Sequence, residues 1–347
     1  MFSINGKFLV RNINGQIRVA IETIKKLDKL VPLDFIEIVA PESEYSIDGL
    51  VNIPIKRIGK GNPYLWEQIN FYWYLIKNHR TGVNVLNSHP LLKPDIAYIH
   101  DTFFSAYPNV YTSRYGRMQK RFSLMMEKSA AKKAKAIVAV SEFTKNEIIK
   151  YHGTEQGKIH VIYNGWQHMN DVKEDTSVFD EFPRITKNEY IMAASGITPQ
   201  KNFKWILENA ANNKNYTYVI VGQREKSTQD ETVDLDNVFF TGRVSDGQMK
   251  ALMHYCKAFI HPAIYEGFGM TPLEAAGCGC KKLVVSKASC LPEIYGESAF
   301  YIDPYVANVS IDDIILDNEP DVSLLLSKYN WEKAAEELYK LLCAVER

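Results

Sequence analysis

Two carboxylates, Glu266 and Glu274, stand eight positions apart in the run Tyr265-Glu266-Gly267-Phe268-Gly269-Met270-Thr271-Pro272-Leu273-Glu274. Glycines at 267 and 269 let the backbone approach a ligand closely, and N–H groups ahead of a helix suit an anion. Thr271-Pro272-Leu273-Glu274 has the form of a helix start, with Thr271 as N-cap, Pro272 at N1 and Glu274 at N3. A capped helix after a glycine turn accounts for Glu274 alone, as the acid closing a capping box. It leaves Glu266 and the paired glycines without a role. Carboxylates flanking free amides suit a ligand that carries hydroxyls beside a diphosphate. The amides and helix dipole hold phosphate, and the carboxylates accept hydrogen bonds from sugar hydroxyls. The residues alone leave the two readings evenly matched.

The elements that must position these groups alternate along the chain. Candidate strands are Lys7–Val10, Phe35–Val39, Asn84–Asn87, Ile96–Ile99, Ala136–Val140 and His160–Tyr163. After a polar stretch the pattern resumes at Tyr190–Ala194, Tyr216–Val221, Val238–Phe240, Ala258–His261, Lys282–Val285 and Ala299–Ile302. Helical patterns such as Arg18–Leu30, Asn202–Asn212 and Ser245–Tyr255 lie between them. This alternation predicts an α/β protein with doubly wound parallel sheets. In such sheets ligands bind beyond the carboxyl ends of the strands. The segments following strands therefore matter: Asn14 to Arg18, His100-Asp101, Gly196 to Asn202, Gly222-Gln223-Arg224, and His261 onward.

A chain of 347 residues makes about two domains. The charged stretch 169–188 is the expected linker between domains 1–168 and 189–328, which would face a central cleft. The 41 Lys and Arg residues balance the 41 Asp and Glu residues, and 46% of the chain is hydrophobic. That composition excludes a disordered tail protein, a collagen-like chain and a generally basic nucleic-acid coat. Five cysteines, at 256, 278, 280, 290 and 343, read as free thiols in a reducing compartment. Cys278-Gly-Cys280 lacks a second pair at zinc spacing. The N-terminus has no signal-peptide core, and no apolar run reaches the ~18 residues of a membrane span. A cytoplasmic protein is expected.

The segment HPAIYEGFGMTPLEAAGCG resembles the E-x7-E signature of retaining glycosyltransferases of the GT-B fold, family 4 (glycosyl transferases group 1). The likeness extends to INGKFLVRNINGQIR, VSEFTKNEI, VIYNG, SGITPQKN, NVFFTGRVSDGQM, SKASCLPEIYGESAFYIDP and YNWEKAAEEL, and so covers essentially the whole chain. It implies two Rossmann-like domains, with the tail 329–347 returning to the first. It implies that Glu274 binds the ribose hydroxyls, Glu266 a hydroxyl of the transferred sugar, and Lys201 the diphosphate. Amides at Phe268, Gly269 and Met270, beside Thr271, are expected to face sugar and diphosphate. Gly15 lets the first loop close on phosphate, His100 stands near sugar and acceptor as a catalytic candidate, and Gly242, Arg243 and Val244 lie at the base. The chain departs from many relatives at Gln200 and Ile197, where an arginine is common. Arg18 or Arg224 is then the candidate replacement cation. Met270-Thr271 stands where Leu-Pro is commoner.

Transfer of a hexose-type sugar (mannose, glucose, galactose, N-acetylhexosamine or rhamnose) from a nucleoside diphosphate sugar to a growing surface polysaccharide is the implied activity. The acceptor would be a saccharide or a polyprenyl-diphosphate-linked glycan. A nucleotide-sugar 2-epimerase of the same fold and a non-enzymatic sugar-binding protein are the rival readings. No cofactor or metal is expected. Asp234-Leu235-Asp236 has the D-x-D form of metal-binding transferases but precedes a strand, and reads as a solvated loop. His152, His160, His168 and His254 show no ligand spacing, and Glu127 and Arg121 fit an ordinary charged face. Between Arg114 and Lys135, eight cations stand against Glu127 alone, a net +7 in a chain whose formal net charge is zero. This segment suits an anionic membrane surface, peripheral on the inner face of the cell membrane; no nucleic-acid motif accompanies it.

Overall fold

The computed structural model describes residues 1–10, 13–111, 113–194, 198–222, 235–315 and 319–346. The chain divides into two units, Met1–Gly165 with Asn330–Arg347, and Trp166–Tyr329. The first unit holds seven parallel strands: β1 Phe2–Asn5, β2 Ile36–Ala40, β3 Ile55–Arg57, β4 Thr81–Asn84, β5 Ile96–Ile99, β6 Ala136–Ala139 and β7 Ile159–Val161. Their order is β3-β2-β1-β4-β5-β6-β7, with Phe2 in register with Ile36 on one side and Thr81 on the other. The central strands β1, β2, β5 and β6 are buried along their whole length, as a sheet covered on both faces requires.

The opening differs from the sequence pattern. The first strand is Phe2–Asn5, and the expected strand Lys7–Val10 falls within a 3-10 helix, Gly6–Val10. A Cβ on Gly6 would lie 2.7 Å from both the Ala40 Cβ and the Val39 carbonyl oxygen, so the chain brushes β2 where a side chain has no room. Lys7 is buried there, 2.8 Å from Glu67. Strand β4 likewise ends at Asn84, where the pattern placed its start.

Helix Gly15–Leu27 is capped by Asn14, whose Oδ1 accepts from the Ile17 amide at 3.0 Å. It buries Ile17, Ala20, Ile24 and Leu27, spaced three and four apart. The closing helix Trp331–Glu346 packs on it, with Lys26 Nζ 2.6 Å from Glu332. The Phe35 and Tyr339 rings meet edge-on at 5.5 Å, which ties the tail into the first unit.

The second unit holds six parallel strands: β8 Tyr190–Ala194, β9 Thr217–Val221, β10 Val238–Gly242, β11 Ala258–His261, β12 Leu283–Ser286 and β13 Phe300–Ile302. Their order is β10-β9-β8-β11-β12-β13, over a core that includes Trp205, Ile206, Tyr218, Ile260 and Val284. Two Rossmann-like parallel sheets on one chain give the GT-B architecture. The stretch expected as a linker lies in this unit. Val178 is fully buried, and Lys250 Nζ donates to the carbonyls of Met169 and Val172 at 2.7 and 2.8 Å. The acids of this stretch also bind helix Asp246–His254: Glu174 Oε2 lies 2.6 Å from His254 Nδ1, and Glu181 Oε1 accepts from Gln248 Nε2 at 2.8 Å.

Candidate active site

In the second unit the strand order reverses between β8 and β11, and the loops leaving these neighbours meet beyond their carboxyl ends. Asn202, at φ 58°, ends the 3-10 turn Pro199–Lys201. Its Nδ2 donates to the carbonyls of Pro262 and Pro304 at 3.0 and 2.7 Å, and the Ile264 amide donates to the Gln200 carbonyl at 2.9 Å. These bonds pin the two loops side by side. Lys201 and Glu266, from either side of the reversal, thereby form a close ion pair through Glu266 Oε1. His261 Nε2 lies 3.0 Å from the same oxygen.

Burial opposes ionisation of Glu266, but the Lys201 charge and the hydrogen bonds from His261 and Lys201 outweigh it and hold the carboxyl down at about 2. Burial lowers the His261 pKa and the Lys201 charge lowers it further, against the pull of Glu266. The neutral imidazole therefore donates from Nε2. The Glu266 amide donates to Ser289 Oγ at 3.1 Å, which fixes the backbone beneath the carboxylate.

The helix after β11 starts earlier than its sequence signature. It spans Met270–Gly277, and its N-cap is Gly269 at φ 78°, ψ 58°. Thr271 is therefore not the cap, and Pro272 sits inside the first turn, where its missing N–H costs no helical bond. A left-handed N-cap is open to glycine at little cost, which explains the glycine that the capping-box reading left over. Glu274 closes no capping box: it lies within the helix, its Oε1 3.1 Å from His168 Nε2. Met270, Thr271 and Glu274 are half-buried, while the Phe268 side chain is buried edge-on against Tyr329. The Phe268 ring is thus committed to packing. At the end of β10, Gly242 adopts φ 70° with open space where a Cβ would stand, followed by exposed Arg243 and half-buried Val244.

Gly15, Arg18 and His100 belong to the first unit. Gly15 is exposed at the first turn of its helix, with open space around the Cβ position. Arg18 Nη1 lies 3.8 Å from Glu22. His100, after β5, is buried, and its pKa is pushed down to about 4 chiefly by burial, against the Val85 hydrogen bond. Its Nε2 lies 2.9 Å from the Val85 carbonyl oxygen, so Nε2 carries the proton and Nδ1 keeps the lone pair.

Arg224, Gly196, Ile197 and Asp234 lie outside the described residues. Asp236 is exposed. Among the described residues no group of three or more His, Cys, Asp or Glu side chains could hold a metal ion, and no helix is long and apolar enough to cross a membrane. Sequence reasoning gave no role to His261 or to His168, whose pairing with Glu274 spans most of the second unit. Glu127 also departs from the ordinary charged face: it is buried, accepting from Ser105 Oγ at 2.7 Å and paired with His152 Nε2 at 2.8 Å.

Paired Rossmann-like units, with a lysine, a carboxylate and a glycine-capped helix at the switch point of the second, define the class of GT-B glycosyltransferases. Family models agree: one described as Glycosyl transferases group 1 matches residues 175–342, and one described as Glycosyltransferase Family 4 matches residues 13–167. The chain belongs to family 4 of the GT-B glycosyltransferases, enzymes that transfer sugars. It is 27% identical over 255 residues to the O-antigen chain mannosyltransferase RfbU of Salmonella typhimurium, covering 70% of this chain and 67% of that protein. It is 26% identical over 197 residues to the serotype-specific mannosyltransferase WbdA of Escherichia coli, covering 50% of this chain but only 23% of that longer protein. The fold is shared with Anabaena Alr3699/HepE, solved in complex with UDP-glucose, at TM-score 0.70 and 17% identity over 99% of both chains. It is shared also with WaaG, a glycosyltransferase involved in lipopolysaccharide biosynthesis, at TM-score 0.61 and 13% identity over 100% of this chain and 92% of that one.

Proposed function

We propose that the protein transfers a hexosyl residue, with mannose the first candidate, from a nucleoside diphosphate sugar to a hydroxyl of a growing, lipid-linked surface polysaccharide, with retention of anomeric configuration. The observation that carries this reading is the Lys201–Glu266 pair beside the Gly269-capped helix at the β8/β11 switch point. The match to an O-antigen chain mannosyltransferase supports the sugar and the polymer, and that to a serotype-specific mannosyltransferase supports the sugar.

In this reading Lys201 and the amides of Gly269 and Met270 stabilise the diphosphate as the C1–O bond to it breaks. Glu266 accepts a hydrogen bond from the sugar, and Glu274, steadied by His168, from the ribose. The acceptor hydroxyl bonds to C1 on the face the diphosphate leaves, and its proton passes to a phosphate oxygen. Glu266 is assigned to holding the sugar, not to forming a covalent bond with it. His100, neutral with Nδ1 as acceptor, is assigned to the acceptor side.

Because protein cations and amides neutralise the diphosphate, transfer needs no metal. The test is a panel of UDP-, GDP- and dTDP-sugars assayed with an oligosaccharide-lipid acceptor, with and without EDTA. Acceptor-dependent glycan extension that survives EDTA is expected. Release of free sugar and nucleotide without an acceptor would favour the epimerase instead. Loss of transfer in EDTA, restored by magnesium or manganese, would return attention to Asp234 and Asp236.

A further inference from the structure

Lys201 carries two assignments at once. It is the cation proposed for the diphosphate, yet it is engaged by Glu266. A single oxygen, Glu266 Oε1, receives both Lys201 Nζ and His261 Nε2. The backbone around Lys201 is held by Asn202 and by the Lys201 amide, which donates to the Thr198 carbonyl at 3.0 Å. Only the flexible four-carbon side chain is left to move.

We infer that His261 is a positioning residue for Glu266: when a donor diphosphate draws Lys201 away, the His261 imidazole takes up a proton and holds the carboxylate in place. This rests on the donor-site reading above. The argument is one of charge. With Lys201 on Glu266 and His261 neutral, the trio is uncharged. An esterified diphosphate brings two negative charges and competes for the ammonium. Glu266 would then stand as a buried carboxylate beside an anion, and a buried charge without a partner is strongly disfavoured.

The other titratable groups near the carboxylate cannot neutralise it. Burial pushes the Cys290 thiol and the Tyr295 phenol upward, and the Glu266 charge adds to both shifts, so both stay neutral. His261 is the remaining base in contact. Of the influences on its imidazole, burial and the Lys201 charge oppose protonation while Glu266 favours it. Removing Lys201 deletes one opponent and leaves the favourable partner unshared. Its pKa rises on binding, so protons are taken up.

The test is calorimetric titration with UDP-glucose and GDP-mannose in two buffers of different ionisation enthalpy at about pH 7, near the unperturbed imidazole range. Both donors carry fully esterified diphosphates that do not titrate there. Wild type should take up a measurable fraction of a proton, at most about one per donor bound. Its affinity should strengthen as the solution becomes more acidic. His261→Gln keeps an N–H donor for Glu266 but cannot be protonated, and should bind without uptake and with a flat pH profile. Should that variant misfold, Lys201→Gln serves instead: the opposing ammonium is gone before the donor arrives, so proton uptake on binding should fall below that of wild type. Donor binding to wild type with no net uptake would overturn the inference, and would mean that Lys201 serves Glu266 and the diphosphate together through its several N–H bonds. Uptake undiminished in His261→Gln would overturn it too. If neither donor binds wild type, the donor-site reading itself falls, and this inference with it.

Discussion

In the proposed reading each charged side chain at the switch point answers to a different part of a nucleotide sugar, and single substitutions separate them. Lys201 and Glu274 are assigned to groups that the product nucleotide shares with the donor, whereas Glu266 is assigned to the sugar alone. Hydrogen bonds to charged groups contribute about 1.5–3 kcal/mol, so Lys201→Ala and Glu274→Ala should each weaken nucleoside diphosphate binding by about 10- to 100-fold. Glu266→Ala should leave that binding nearly intact and depress transfer by a similar factor. Titration of the three variants with UDP and GDP, beside steady-state transfer rates, checks the split; equal nucleotide binding by wild type, Lys201→Ala and Glu274→Ala would misplace the site. These three residues were legible in the sequence because they follow strands closely, Lys201 and Glu266 in the loops and Glu274 in the helix that the second loop enters. Their partners were not. His168 meets Glu274 at 3.1 Å only because the chain folds back across the unit, and His261 meets Glu266 through the shape of one loop. Neither distance is encoded in local spacing.

Among the elements, the Met270–Gly277 helix depends on one backbone conformation. Gly269 holds φ 78°, and a Cβ there would stand 2.6 Å from Leu291 Cδ2. Gly269→Ala therefore combines left-handed strain with a clash against a fully buried leucine. Strain of that kind costs about 1–3 kcal/mol, and overpacking adds a similar amount. The variant should unfold at lower denaturant concentration, and donor affinity should fall more than stability alone explains, because the amides of Gly269 and Met270 shift together. Equilibrium unfolding and titration of the same preparation check both; unchanged stability would mean that the turn relaxes without strain. The alternation of strands and helices was readable because buried parallel strands are short apolar runs. Boundaries failed where a side chain's fate depends on tertiary contact. Lys7 looked like the first residue of a strand and is instead in a 3-10 turn, buried against Glu67, and Thr271 looked like an N-cap but is the second residue of the helix.

For the molecule as a whole, charge is zero in sum and uneven in place. Helix Arg114–Lys133 and the following Lys135 carry eight cations, of which all but the half-buried Lys120 are exposed. The single acid of the segment, Glu127, turns inward to Ser105 and His152, so the outer face keeps its full positive charge. Among the described residues none of the eight cations forms an ion pair. Lys120 and Lys133 donate instead to the carbonyls of Pro108 and Leu91. Tyr115, Met118 and Met125 are exposed on the same helix. Its neighbour across the Tyr64–Phe122 ring contact exposes Leu65, Ile69 and Trp73. Cations interleaved with exposed apolar and aromatic side chains match an anionic bilayer surface, where headgroups meet the charges and the boundary region takes the rings. Each cation near such a surface contributes about 1 kcal/mol, decaying over a Debye length of about 8 Å at physiological salt. Half of the eight would give weak, salt-sensitive attachment, enough to hold the enzyme beside the lipid-linked acceptor proposed above. Changing Lys128, Lys132, Lys133 and Lys135 together to Gln should reduce co-sedimentation with anionic vesicles at least tenfold while leaving neutral vesicles and donor binding unaffected. Replacing Trp73 with Ser should weaken the remaining attachment even in high salt, since its contribution is not screened. If the Lys-to-Gln variant binds anionic vesicles as wild type does, the cationic face is not what meets the membrane, and a soluble acceptor becomes the better assignment.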